Sequence, residues 1–363
     1  LEAITRRRRF RGAGGDLLAL PAPLLKLLRD LPPDLAPALS ASEQSNNSIV
    51  FGERLILKIY RRIEDGINPD LEVVRFLTER TDFRNIAPVA GSILYRRGPG
   101  ATAVVGMLQR YVPHHGDAWK HVLHLLDTEG HAAFQDDARR LGRRTAELHL
   151  ALASEPDDPA FAPEPTTMLY ARSVYQSIRT LSTQVMELVR RNLGSDPDAA
   201  ELLKREPALL KRSRAILDRP VAARRIRVHG DYHLGQVLWT GEDFVIVDFE
   251  GEPARGLSER RIKRWALKDV AGMLRSFDYA AHTAGAVPGW AAEVSDAYLQ
   301  GYVETPGIGG ASFMPRTADE TRLLLDVMLI EKALYELRYE INSRPTWARI
   351  PLRGLLDLAE RAR

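Results

Sequence analysis

The sequence contains no cysteine. Disulfides and thiolate metal sites are therefore excluded, and a cytoplasmic, reducing setting is expected. No uninterrupted apolar run reaches membrane length, and the start carries no signal-peptide pattern. A dominant charge is missing too. The 51 basic and 48 acidic residues leave a net charge of +3, which argues for no nucleic-acid partner. There is no Walker P-loop, no H-E-x-x-H and no G-x-S-x-G, so P-loop, zinc-peptidase and serine-hydrolase chemistries have no motif to rest on. The histidines form no recognisable ligand set, and no internal repeat stands out.

What is present begins with length. The chain has 363 residues, enough for about two lobes around one cleft. The stretch that organises it is Val228-His229-Gly230-Asp231-Tyr232-His233-Leu234-Gly235-Gln236, followed by Asp248-Phe249-Glu250. It reads H-G-D-x-x-x-x-Q and then D-F-E. Protein kinases write H-R-D-x-x-x-x-N and then D-F-G. Phosphoryl transfer explains the spacing. It needs a carboxylate to orient a hydroxyl and accept its proton, and oxygen ligands to hold magnesium against a triphosphate. Short strands at residues 226–228, 237–239 and 244–247 flank the two aspartates. They are expected to set both carboxylates at one edge of a small hairpin, facing a common cleft.

The N-terminal part has a β pattern. Residues 49–51 and 54–60 read as strands around the turn at Gly52-Glu53. Ser45 and Asn46 precede them in a polar loop suited to covering phosphates, with a plain surface turn as the alternative. Lys58 lies mid-strand, and alternation points it away from Leu57 and Ile59, so it needs a partner. Asn68-Pro69-Asp70-Leu71-Glu72 reads as a helix start. Glu72 is expected to reach back to Lys58; the alternative is an acid favoured by the helix dipole. Residues 87–90, 92–95 and 102–108 read as further strands. The connector after them should be a hinge, offering backbone groups near Gln109 and Tyr111 to an adenine edge.

Residues 1–41 mix the run Arg6-Arg7-Arg8-Arg9-Phe10-Arg11 with Gly12-Ala13-Gly14-Gly15 and several prolines. They read as the remainder of an N-terminal cap or linker, with a short helix around residues 24–29. The basic run reads as a solvated flank rather than a polyanion site. Residues 42–112 are expected to form a nucleotide-covering N-lobe, and residues 113–363 a C-lobe with the catalytic loop, metal site and acceptor site. Helices are expected over 117–128, 131–152, 169–193, 199–217, 267–284, 290–303 and 317–341. Residues 250–264 read as a charged loop. On the last helix Lys332, Tyr335 and Tyr339 share one face, or the tyrosines are ordinary packing. His149 reads as a packed or surface histidine. The fold class expected is α+β, bilobal and protein-kinase-like, with a small mainly β N-lobe and a large mainly α C-lobe.

On these motifs, together with Gly116-Asp117-Ala118-Trp119, Gly251-Glu252-Pro253 and Lys268-Asp269-Val270-Ala271-Gly272-Met273-Leu274-Arg275-Ser276, the chain resembles the maltokinases. These are a branch of the aminoglycoside-phosphotransferase-like and choline-kinase-like small-molecule kinases. The resemblance implies ATP-dependent phosphorylation of maltose at its anomeric hydroxyl, giving maltose 1-phosphate for glucan synthesis. It implies Asp231 as catalytic base, Gln236 and Asp248 as magnesium ligands, and Lys58 on the phosphates with Glu72 in support. It further implies sugar contacts from His233, Lys332, Tyr335 and Tyr339. Such kinases also occur fused behind a trehalose synthase, and the start at Leu1-Glu2-Ala3-Ile4 reads as the middle of such a product. The competing expectations are an aminoglycoside or choline kinase of the same fold, and a non-catalytic nucleotide-binding module attached to a synthase.

Overall fold

A computed structural model describes residues 1–25, 35–39, 46–98, 101–130, 132–219 and 221–361. The architecture is mixed α+β, with a β-sheet N-terminal region and a helical C-terminal region, as the periodicities require. The chain divides into two compact units.

The first unit comprises Leu1–His121, His229–Asp231 and Gly235–Ile262. A one-turn helix α1 (Glu2–Thr5) precedes strands β1 (Arg9–Gly12), β2 (Gly15–Pro21), β3 (Pro37–Leu39), β4 (Asn47–Phe51) and β5 (Leu55–Ile59). Helix α2 (Pro69–Arg80) follows, then strands β6 (Val89–Arg97) and β7 (Ala101–Arg110). All seven strands form one antiparallel sheet in the order β1-β2-β6-β7-β5-β4-β3. Ile4, Ala19, Leu55, Ala90 and Leu108 are buried together against it. Residues 9–21 thus form a hairpin at one edge of this sheet, where the sequence pointed to a cap or linker. Their glycines and prolines hid a hairpin whose second strand pairs Asp16–Pro21 with Arg96–Gly91. The helix expected around 24–29 falls mostly outside the described residues; Pro23–Leu25 is a 3-10 turn.

The hairpin β8 (Val237–Trp239) and β9 (Phe244–Ile246) also belongs to this unit. The Ile246 N–H donates to the Asn85 carbonyl at 2.8 Å, and Trp239 exchanges backbone hydrogen bonds with His115 and Gly116. These bonds remove most of the catalytic-loop region from the helical unit to which the sequence assigned it.

The second unit holds Val122–Val228, Tyr232–Leu234 and Lys263–Arg363. Its helices include most of α3 (Ala118–Thr128), then α4 (Gln135–Leu152), α5 (Met168–Asn192) and α6 (Pro197–Asp218). After α7 (Leu257–Arg260), a single turn within the expected loop and part of the first unit, come α8 (Leu267–Ala284), α9 (Trp290–Val303), α10 (Ala318–Ser343) and α11 (Arg349–Arg361). Caps set several starts. The Asp196 carboxylate accepts from Asp198 and Ala199, and the Thr317 hydroxyl accepts from Glu320. Residues 226–228 form no strand; Ile226 makes only a bridge to Arg264. The sequence reading missed α11, because Pro345 and Pro351 masked its apolar face of Ile350, Leu352, Leu355 and Leu358.

Helices α4 and α9 cross at two glycines. A Cβ on Gly301 would lie 1.9 Å from the Arg139 carbonyl oxygen, and one on Gly142 would lie 2.0 Å from that of Tyr298. Gly301→Ala must push the two backbones apart. It is expected to lower unfolding free energy by about 1–3 kcal/mol or more, read as a lower urea midpoint at unchanged slope.

Candidate phosphotransfer site

The first unit brings one cation and three carboxylates together. Lys58, on β5, reaches Asp70 Oδ2 at 2.8 Å, Asp248 Oδ1 at 2.6 Å and Glu250 Oε1 at 2.6 Å. Pairing with β4 and β7 on either side fixes the strand and aims Lys58. Asp70 rides on the first turn of α2, whose Asn68 side chain caps the helix at 2.8 Å from the Asp70 N–H. Its carboxylate is 1% exposed and accepts from the Tyr60 hydroxyl at 3.0 Å and the Phe249 N–H at 2.9 Å as well as from Lys58.

The expected Lys58–Glu72 pair is therefore corrected. The α2 carboxylate on Lys58 is that of Asp70, while the Glu72 carboxylate binds Arg261 at 2.6 and 2.9 Å. Two positions along a helix is about 200° of rotation, so Asp70 and Glu72 face nearly opposite ways. N-P-D-L-E offered both acids, and the spacing alone did not choose between them.

Burial opposes the Lys58 ammonium, but Asp70 and Asp248 overcome it and hold its pKa well above the usual lysine value. Burial also favours the neutral form of Asp248. Lys58, His229 and a hydrogen bond from Gln236 prevail there and keep the carboxyl below its usual range. Glu250 is pushed up by burial, against the pull of Lys58. Glu250 was not singled out from the sequence. Its signal was a carboxylate where D-F-G has glycine. Asn46, buried, donates to Glu250 and accepts the Arg61 N–H at 3.2 Å. Ser45 lies outside the described residues.

The imidazole of His229 ties the two halves of the motif. The Asp231 N–H donates to Nδ1 at 3.4 Å and Nε2 donates to the Val247 carbonyl at 2.9 Å, which places the ring proton on Nε2. Gly230 between them has φ +90°, and a Cβ there would meet Gly251 Cα at 3.3 Å. Asp248 itself takes φ +67°, a conformation costing a non-glycine residue of order 1–3 kcal/mol. Its contacts with Lys58 and Gln236 hold it there.

Gln109 lies in β7, and its side chain donates to the Ala87 carbonyl at 2.9 Å. Beside the connector whose backbone was expected to meet an adenine edge, the Tyr111 N–H donates to the Arg54 carbonyl at 2.9 Å. The chain thus continues sheet-like pairing one residue past β7.

His233, Lys332, Tyr335 and Tyr339 lie in the second unit. Lys332 and Arg338 each stand 5.6 Å from the Tyr335 ring centre, and Arg344 stands 5.5 Å from that of Tyr339, which is 50% exposed. Tyr232 is buried, its hydroxyl 3.0 Å from Thr145 Oγ1, and the Leu234 N–H donates to Ser276 at 3.1 Å. His149 is buried, facing the Tyr302 hydroxyl at 2.8 Å and Asp269 at 3.1 Å, so it packs, as expected.

The Asp70, Asp248 and Glu250 oxygens lie within 4.8 Å of one another. An all-oxygen donor set suits a hard divalent ion such as magnesium. Both Asp70 oxygens already accept hydrogen bonds, so of the three carboxylates Asp248 and Glu250 could hold such an ion.

The sequence profile of the phosphotransferase enzyme family matches residues 38–251, more than half of the chain. The chain belongs to this phosphotransferase family. The phosphotransferase is 24% identical over 333 residues to a glucosamine kinase of Streptacidiphilus jiangxiensis, covering 87% of this chain and 72% of the relative. It is 25% identical over 334 residues to a glucosamine kinase of Mycolicibacterium smegmatis, covering 87% and 78%. A solved glucosamine kinase superposes on the phosphotransferase with a TM-score of 0.74 at 20% identity, covering 99% of this chain and 97% of the other. A second, in complex with glucosamine, ADP and inorganic phosphate, gives 0.70 at 22% identity, covering 96% and 86%. Both likenesses are of fold.

Proposed function

We propose that this phosphotransferase is an ATP-dependent sugar kinase whose acceptor is maltose, phosphorylated at the anomeric hydroxyl. The observation that carries the kinase reading is the Lys58–Asp70–Asp248–Glu250 cluster, joined through His229 to the backbone of Asp231. ATP as donor is supported by family membership and by the ADP in the structural relative. In this reading Asp231 orients the sugar hydroxyl and accepts its proton as the oxygen attacks the γ-phosphorus. The bond to the β–γ bridging oxygen breaks, and ADP leaves with that oxygen. Lys58 holds phosphate oxygens. Asp248 and Glu250, with Gln236 beside them, would hold magnesium, which would supply charge neutralisation on the triphosphate.

Maltose is supported by the long H-G-D-Y-H-L-G-Q resemblance and by the character of α10. Lys332 and Arg338 crowd Tyr335, which suits a neutral sugar better than an ammonium-bearing one. His233, Tyr335 and Tyr339 are assigned to that sugar. The trehalose synthase association implied by the resemblance would supply maltose. Glucosamine is the second reading, favoured by the names of both sequence relatives.

The test is an acceptor screen with ATP and magnesium chloride against maltose, glucosamine, kanamycin and choline. Maltose should be consumed with loss of its reducing end. Consumption of glucosamine instead would replace the maltose reading, and transfer to none of the four would sink the kinase reading. Tyr339→Ala is expected to raise KM for maltose by about tenfold, in line with one stacked ring, and to leave KM for ATP in place. Equal effects on both would mark the ring as packing.

A further inference from the structure

The segment after D-F-E returns to α2 and grips it from its other side. Arg261 presents a fork to Glu72, Nε to Oε2 at 2.9 Å and Nη2 to Oε1 at 2.6 Å. Such paired contacts fix orientation as well as charge. The side chains are 30% and 12% exposed, so this is no ordinary surface pair. Arg260, whose side chain is 6% exposed, binds Glu64 Oε1 at 2.7 Å and the Glu250 carbonyl at 3.5 Å. The single turn α7 delivers both arginines. Thirteen residues therefore bracket the start of α2: Phe249 holds Asp70 through its N–H, and Arg261 holds Glu72. Since Asp70 and Glu72 face nearly opposite ways, the two contacts fix the rotation of the helix, and that rotation decides whether Asp70 meets Lys58.

We infer that Glu72 and Arg261 are positioning residues for the nucleotide site, acting through α2 on the Asp70–Lys58 pair. The inference rests on the reading of the Lys58 cluster as that site. It gives Glu72 a role through Arg261 instead of through Lys58.

The test is calorimetric titration of the full chain with ADP and magnesium chloride, which does not depend on the identity of the sugar. Glu72→Gln and Arg261→Gln should each weaken ADP binding by about tenfold, within the coupling range of contacting residues. The double exchange Glu72→Arg with Arg261→Glu should restore most of the affinity, and Arg261→Lys, which keeps the charge but not the fork, should fall between. In turnover assays KM for ATP should rise in the single variants while KM for the sugar holds. Single variants that bind ADP like the unaltered chain overturn the inference. So does a double exchange as weak as the singles, because loss without rescue is what a merely structural residue gives. An unaltered chain that binds no ADP overturns the nucleotide-site reading first, and the inference with it.

Discussion

Asp231→Asn is expected to lower kcat by about 10²–10⁴-fold, the usual contribution of a positioned general base. The substitution isolates the proton acceptor. The Asp231 backbone is held by its own N–H on His229, and His229 is held by Val247, so the loop keeps its path when the side chain changes. The amide is isosteric but does not take the hydroxyl proton. The loss should therefore appear in kcat and in kcat/KM together, with ADP affinity and thermal midpoint unchanged. This pattern marks an interaction made in the transition state alone. His229→Ala gives the contrast. It removes the brace and should lower the thermal midpoint along with turnover. If Asp231→Asn turns over like the unaltered chain, Asp231 is not the base and the proton leaves by another route.

The parts of the fold that were legible in the sequence were those with a local cause. Helices α8 and α9 were read to the residue, because their apolar periodicity runs uninterrupted to Gly285 and from Trp290. Strands β4, β5, β8 and β9 were read from β-branched runs and turn residues. What failed depended on distant partners. Strand β2 is joined to the rest of the sheet by its pairing with β6, more than seventy residues on. The β8–β9 hairpin joined the sheet-bearing unit because Asn85, His115 and Gly116 bond to it, and nothing local announces those bonds. The site shows the same division. Lys58 was read from its mid-strand position and Asp231, Gln236 and Asp248 from motif spacing, and of these Lys58 and Asp248 meet in the cluster. Asp70 was missed in favour of Glu72, two residues on, because the choice rests on the rotation of α2, and Arg261 sets that from far along the chain. Glu250 was visible as a residue but not as a partner of Lys58.

Asp70→Ala is expected to cost about 3–5 kcal/mol of unfolding free energy, the range for breaking a buried charge pair. The site explains the size. Asp70 is the most deeply buried carboxylate of the cluster, and it accepts from an ammonium, a phenol and a backbone N–H at once. Alanine leaves the Tyr60 hydroxyl and the Phe249 N–H without this acceptor inside the protein, each at about 1–3 kcal/mol. Lys58 retains Asp248 and Glu250, so its own loss is partial and the total stays near the middle of that sum. Asp70→Asn keeps a carbonyl oxygen for the Phe249 N–H and should cost clearly less. Urea unfolding of the pair measures the difference. Turnover adds the functional half: with α2 no longer tied to β5 and to the D-F-E turn, KM for ATP should rise in both variants, more in Asp70→Ala. A stability loss below about 1 kcal/mol for Asp70→Ala would be that of an exposed ion pair. It would mean that Lys58 is organised by Asp248 and Glu250 alone.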